Sequence, residues 1–475
     1  MISNHLKLKI KAELPYQLNP GQEILIDLLA EFVSNRVPEA LFLLKGYAGT
    51  GKTSLIGSLV KCLTHLKMQL VLLAPTGRAA KVFSAYSDSP AFTIHKKIYR
   101  QKSIGFESGF GIMPNLHKNT LFIVDEASLI NNDGYENNIF GTGRLLDDLI
   151  EYVYSEESCN MILIGDSAQL PPVGQSDSPA LNRSTLKAYG LSVIDHTLRE
   201  VARQSQESGI LYNATKLREQ IEQNQNLNEL PVLDTVDFPD LKCIDGNDLP
   251  DIISNCYGRD GMADTILITR SNKRANLFNQ GIRNRVLYRE EELASGDLIM
   301  ITKNNYFWSK DYEEIPFIAN GEIAEIIRVR NQTEIYNFRF ADVSVRFLDL
   351  DIELEGKLLL DSLHTDTPSL SRDQQEQFFQ AVMADFEHLS TKSAKMKALK
   401  EDVYFNAFQA KYAYSTTCHK AQGGQWKNVV LDMGNIRTEH LGSDFYRWLY
   451  TSLTRSTEKL YLLNLPQEMV RQKTI

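Results

Sequence analysis

Residues 46–53 read Gly46-Tyr47-Ala48-Gly49-Thr50-Gly51-Lys52-Thr53 and stand between an apolar run, ALFLLKG, and an amphipathic stretch, SLIGSLVKCL. The order G-x-x-x-x-G-K-[ST] between a strand and a helix is a phosphate-binding loop. Its glycines let backbone N–H groups wrap phosphate oxygens, Lys52 neutralises the β- and γ-phosphates of a nucleoside triphosphate such as ATP, and the Thr53 hydroxyl can ligate Mg²⁺. Further on, Asp125 and Glu126 close the strand-like segment TLFIVDEA. Beside a phosphate loop two carboxylates divide the work of hydrolysis. Asp125 would hold the Mg²⁺ shell, and Glu126 would orient and deprotonate the attacking water. Alone, such a pair reads as a solvated corner; the loop upstream selects the catalytic reading. The segment GDSAQLPPV, 165–173, ends the next apolar run. Gln169 in it has the length and amide chemistry to sense a γ-phosphate or hold water, while by itself it would read as an exposed side chain in a proline-stiffened loop.

These residues need a scaffold that brings them to one edge. Short apolar runs at 40–46, 69–76, 120–127 and 160–166 read as buried parallel strands of an α/β sheet, with the chemistry-bearing residues at their C-terminal ends. From about 190 the pattern restarts with SVIDHTL, ADTILITR and DLIMITK. Residues 315–362 then carry short alternating segments, with Asn320-Gly321 and Glu355-Gly356 as turn signals, and predict a small β-meander or barrel. A helix-prone stretch opened by a Ser371-x-x-Gln374 capping box follows, and the α/β pattern returns with KYAYSTTC, NVVLDMG and KLYLLNL. A second α/β unit split by an inserted module is expected.

The 475 residues are too many for one ordinary domain, and 43% hydrophobic with 23% charged residues is a globular composition. A net charge of −9 excludes a protein that coats nucleic acid by bulk electrostatics, but it leaves room for a local groove that grips a few phosphates. Five scattered cysteines without a Cys-x-x-Cys pair signal neither a zinc site nor a disulfide framework. The opening MISNHLKLKIKAELPYQ lacks an export pattern, and no run approaches the length of a membrane span, so a cytoplasmic protein is expected.

Taken in order, LNPGQ (18–22), the phosphate loop, APTGRAAK (74–81), TIHK (93–96), VDEAS (124–128), GDSAQLPPV, LREVARQ (198–204), TTCHKAQG (416–423) and YTSLTRS (450–456) resemble helicase superfamily 1, in its RecD-like and Dda-like branch. The resemblance implies two RecA-like P-loop NTPase domains, 1–190 and 191–475, with ATP and Mg²⁺ at their interface. It also implies a small hairpin insertion at about 97–118 and an SH3-like β-barrel and helical insertion at about 310–404. Residue by residue, Gln22 would read the adenine edge, Gly46, Ala48, Gly49, Thr50, Gly51, Lys52, Thr53 and Gly423 would contact ATP, and Gln169 would couple the γ-phosphate to DNA. Arg203 and Arg455 would be arginine fingers from the second domain. Pro75, Thr76, Thr93, His95, Thr417 and His419 would touch the strand. The family often carries a Glu shortly after the QG of the TTCHKAQG segment; here Gly424-Gln425-Trp426 follows, with Gln425 as the available acceptor.

The function implied is an ATP-driven, 5′-to-3′ motor on single-stranded DNA that unwinds duplexes, acting as a monomer and without membrane attachment. A nucleotide-dependent switch without processive movement, or an RNA motor on the same framework, remains the alternative. Tyr99, Phe106, Phe110, Trp308, Tyr412 and Trp426 are aromatic residues able to stack on bases or to pack a core, and the sequence assigns none of them.

Overall fold

The computed structural model describes residues 2–14, 16–35, 37–101, 110–134, 140–201, 207–236, 238–310, 312, 317–349, 352–367 and 369–471. A six-stranded, wholly parallel sheet runs in the order Ala91–Thr93, Leu70–Ala74, Leu121–Val124, Asn160–Gly165, Ala40–Gly46, Ser192–Leu198. Its four central strands are largely apolar because both faces are covered, whereas the edge strand Ser192–Leu198 carries Asp195, His196 and Thr197. Leu41 and Leu43 enter one core cluster while Phe42 and Leu44 enter another, as the two-residue repeat of a strand requires. Burying each such side chain contributes about 1.5–3 kcal/mol. The strand Ser192–Leu198 pairs with Ala40–Gly46, so the first unit extends past the expected boundary at 190. Periodicity identifies a strand but not its neighbour, and here the neighbour is the free edge of the first sheet.

A second parallel sheet is ordered Ser415–Thr417, Thr265–Thr269, Trp426–Asp432, Ser456–Leu463, Leu241–Ile244. It is interrupted where expected, though more widely. The five-stranded antiparallel sheet of the insertion begins with Leu298–Ile301 and ends with Ala410–Tyr412, two runs that the sequence reading gave to the parallel core. Leu298–Ile301 is buried at all four positions between two antiparallel neighbours, and an uninterrupted apolar run cannot be told from a parallel strand by pattern alone. Asn320-Gly321 does turn the chain, with Gly321 at φ 96°. Glu355-Gly356 instead lies inside the strand Ile352–Leu359, where Gly356 admits Phe408: a Cβ there would sit 2.5 Å from its ring. The working hairpin turn is Tyr336-Asn337, both left-handed at φ 57° and 62°, joining Ile323–Ile335 to Phe338–Phe347. The helix Arg372–Asp385 opens with the expected capping box.

In the first unit, Tyr99–Gln101 pairs antiparallel with Phe110–Ile112, the base of the expected hairpin; Phe106 and the rest of 102–109 lie outside the described residues. Among the described residues no helix is long and apolar enough to cross a membrane.

Candidate functional site

The buried strand Ala40–Gly46 delivers the phosphate loop to the helix Lys52–His65. Gly51 holds φ 83°, a conformation open to glycine, and a Cβ there would lie 2.9 Å from Nε2 of Gln22. The loop is braced internally: the Thr50 hydroxyl and the Lys52 ammonium both donate to the Tyr47 carbonyl, at 2.7 and 2.8 Å. Gln22 is 1% exposed and braces it from behind. Its amide nitrogen donates to the Thr50 carbonyl at 3.0 Å, and its oxygen accepts the Asn19 N–H in a capping box. In this arrangement Gln22 supports the loop, and it is not among the residues that line the cavity in front of it.

That cavity, of about 350 Å³, lies between the two parallel sheets' domains. From the first domain it is lined by Ala48, Gly49, Gly51, Lys52, Thr53, Asp125, Glu126 and Gln169, and from the second by Gln425 and Arg455. Gly46 and Thr50 shape the loop without facing the space. Asp125 accepts the Glu126 N–H at 2.8 Å, and Glu126 itself is held in the left-handed region at φ 51°, a conformation that costs a non-glycine residue about 1–2 kcal/mol. Burial pushes the Asp125 carboxyl up to about 7, with Glu126 adding to the rise while the Glu126 N–H and Lys52 pull the other way. Oxygen donors at Thr53 and Asp125 on the same cavity wall suit Mg²⁺, which takes one or two protein oxygens and fills its shell with phosphate and water.

Gln169 is 6% exposed, and its amide oxygen has no hydrogen-bond partner among the described residues although it borders the cavity. A buried acceptor left unpaired costs about 1–3 kcal/mol, so it is poised for a group that enters the cleft. Arg455, 3% exposed, is held by the carbonyls of Thr451 and Gly424 at 3.0 and 3.2 Å, which aim the guanidinium from the second domain. Arg203 lies outside the described residues.

A second cavity, about 380 Å³, gathers Pro75, Thr76, His95 and His419, four of the six expected strand contacts, with Asn320 and Gly321 of the inserted sheet. Thr93 and Thr417 do not line it. The Thr93 hydroxyl caps the helix Ile94–Ile98 by accepting the Lys96 N–H at 3.1 Å. Thr76 likewise caps Gly77–Ser87. Burial pushes the His95 imidazole down to about 4 against the opposing pull of Asp148, so at neutral pH His95 offers a neutral ring, edge-on to Phe140 at 4.9 Å. Burial also lowers His419.

Gly423 belongs to neither cavity. At φ 73° it packs on the helix Gly77–Ser87, where a Cβ would stand 2.9 Å from the Thr76 hydroxyl, a close approach between domains. The aromatic residues mostly pack: Trp308 donates to the Asn406 carbonyl, Tyr412 is buried in the inserted sheet, and Trp426 is covered by Arg78 at 4.0 Å. Phe110 joins Phe140, Tyr306 and Phe317 in a ring cluster, and Tyr99, beside the second cavity, donates to Asp148 at 2.6 Å.

Sequence reasoning missed the contacts that join the domains. The Gln422 amide donates to the Leu170 carbonyl at 2.7 Å, and the Leu170 N–H donates to the Thr451 hydroxyl at 2.9 Å. Both partners of Leu170 sit inside segments already singled out, TTCHKAQG and YTSLTRS, so the signal was present without the pairing.

Residues 17–232 match the family model of an AAA domain, and 412–463 match that of the UvrD-like helicase C-terminal domain. The two matches flank the inserted sheet and together hold both walls of the cleft. The chain is 22% identical to the RecBCD enzyme subunit RecD of Buchnera aphidicola subsp. Schizaphis graminum, over 91% of this chain and 71% of that one. It is 25% identical to the ATP-dependent DNA helicase dda of Enterobacteria phage T4, over 66% of this chain and 69% of that one. The matches and relatives together make the chain similar to the RecD-like and Dda-like helicases of superfamily 1. The chain is also 24% identical to an uncharacterized protein of Acanthamoeba polyphaga mimivirus, over 93% of its own length and 99% of the relative's. Among solved structures, the Bacteroides Pif1 helicase in complex with ADP-AlF3 and ssDNA aligns over 96% of this chain and 95% of that one, at 13% identity and a TM-score of 0.46.

Proposed function

We propose that this ATP-hydrolysing DNA helicase travels 5′ to 3′ along single-stranded DNA and couples closure of the cleft to strand movement and duplex unwinding. The observation that carries the reading is the meeting of Lys52, Asp125, Glu126 and Gln169 with Arg455 of the other domain in one cavity. A second cavity with Thr76, His95 and His419 also spans both domains.

Lys52 and the loop N–H groups hold the β- and γ-phosphates. Glu126 takes a proton from a water whose oxygen bonds to the γ-phosphorus, and the bond from that phosphorus to the bridging oxygen breaks, so ADP departs with that oxygen. Thr53 and Asp125 would hold Mg²⁺, which when bound neutralises phosphate charge. The Gln169 oxygen accepts a hydrogen bond within the cleft, and Arg455 stabilises charge on the transferring group only when the domains close. Opening and closing would alternately tighten the grips of the two domains on the strand, where hydroxyl and neutral imidazole groups bond backbone without reading sequence. A monomer working in the cytoplasm is part of the same proposal.

Polarity rests on the resemblance to the RecD-like and Dda-like branch. Duplexes with a 5′ or a 3′ single-stranded tail separate the cases: unwinding is expected from the 5′-tailed substrate, and preferential unwinding from the 3′ tail would sink the assignment.

A further inference from the structure

We propose, resting on the reading of the cleft as an ATPase site, that Tyr450 is a positioning residue that ties the phosphate loop to the helix leading into Arg455, so that a shift of the loop is passed on to the arginine. Tyr450 lies on the helix Ser443–Leu453 of the second domain and is 1% exposed. Its hydroxyl accepts the backbone N–H of Ala48, in the phosphate loop, at 2.9 Å, and donates to the Asp166 carboxylate at 2.6 Å. Asp166 in turn accepts the Ala168 N–H at 2.9 Å, at the root of the segment that carries Gln169.

The next residue continues the connection. The Thr451 hydroxyl accepts the Leu170 N–H at 2.9 Å, and the Thr451 carbonyl accepts from Nε of Arg455 at 3.0 Å. Two consecutive residues of one helix therefore hold the phosphate loop, the Gln169 segment and the arginine. Ala48, Asp166, Gln169 and Arg455 all line the cavity, whereas Tyr450 stands behind them.

A phenol suits this post because one hydroxyl accepts and donates at once. Burial, with Asp166 beside it, pushes the Tyr450 hydroxyl well above its usual range, so it remains a donor throughout neutral pH. A phosphate loop that shifts as ATP enters must carry this helix with it or break a buried hydrogen bond to a group that also holds a carboxylate. While that bond holds, binding at the loop is felt at Arg455.

The test compares Tyr450→Phe, Asp166→Asn and the double variant with wild type and with Lys52→Ala, in DNA-stimulated hydrolysis by the full chain. Phenylalanine keeps the ring packing and removes both hydrogen bonds. In Tyr450→Phe, kcat per nucleotide-binding site is expected to fall about tenfold or more, while KM for ATP stays within about threefold. Because both residues act through one relay, the double variant should be no slower than the slower single. A role confined to folding would lower the melting temperature and the number of binding sites, leaving kcat per site at the wild-type value. That result, or singles whose effects multiply in the double, overturns the proposal. If Tyr450→Phe is fully active while Lys52→Ala is dead, the relay falls and the ATP site stands; a wild type that hydrolyses no ATP removes both.

Discussion

Lys52→Ala is expected to lower ATP turnover by at least about two to three orders of magnitude, in the range seen when one preorganised charge or donor is taken from a reacting centre. Lys52 opens the helix after the phosphate loop and lines the cavity beside Thr53. Its ammonium spans the loop to the Tyr47 carbonyl, so the side chain is already extended across the space that the phosphates would enter. In a partly enclosed cleft the attraction between a cation and a phosphate is screened less than at the open surface, and no other lysine lines this cavity among the described residues. The fold should survive, because the lost hydrogen bond goes to one loop carbonyl that the Thr50 hydroxyl still engages. Steady-state hydrolysis with a melt as control checks this, and near-normal turnover would remove the phosphate-loop assignment.

Arg455→Ala is expected to slow DNA-stimulated hydrolysis about a thousandfold or more, the scale of an arginine finger. Arg455 is the arginine that the second domain contributes to the described cavity, and two backbone carbonyls fix its direction. Lysine should rescue poorly, since a point charge lacks the planar fork that bridges phosphate oxygens. Arg203, beyond the described residues, is expected to behave alike on the strength of the LREVARQ segment. Full activity in both alanine variants would contradict an ATP site shared between the domains.

What the sequence disclosed followed from how far each signal reaches along the chain. The phosphate loop and Asp125-Glu126 were legible because each is a contiguous motif at the end of an apolar strand. Arg455 was legible only through resemblance, since nothing near it in the chain says what it faces. Tyr450 was quoted within YTSLTRS but left without a role, because its partner Ala48 lies 402 residues away. Gln22 carried a ligand role by analogy, while both ends of its amide are engaged in the fold: one caps a helix and the other steadies the loop. The edges of the inserted sheet were misplaced for a different reason. Leu298–Ile301 is buried on both faces, and burial on both faces is also what makes a parallel core strand look apolar.

The measurement that tests the account most directly is the rate of ATP hydrolysis by the wild-type chain without nucleic acid, with single-stranded DNA and with single-stranded RNA. A slow basal rate that rises severalfold or more with DNA is expected, because strand contact at Thr76, His95 and His419 should favour the closed cleft in which Arg455 acts. A rate indifferent to either nucleic acid would contradict the motor and leave a nucleotide switch, and stimulation by RNA alone would contradict the DNA track.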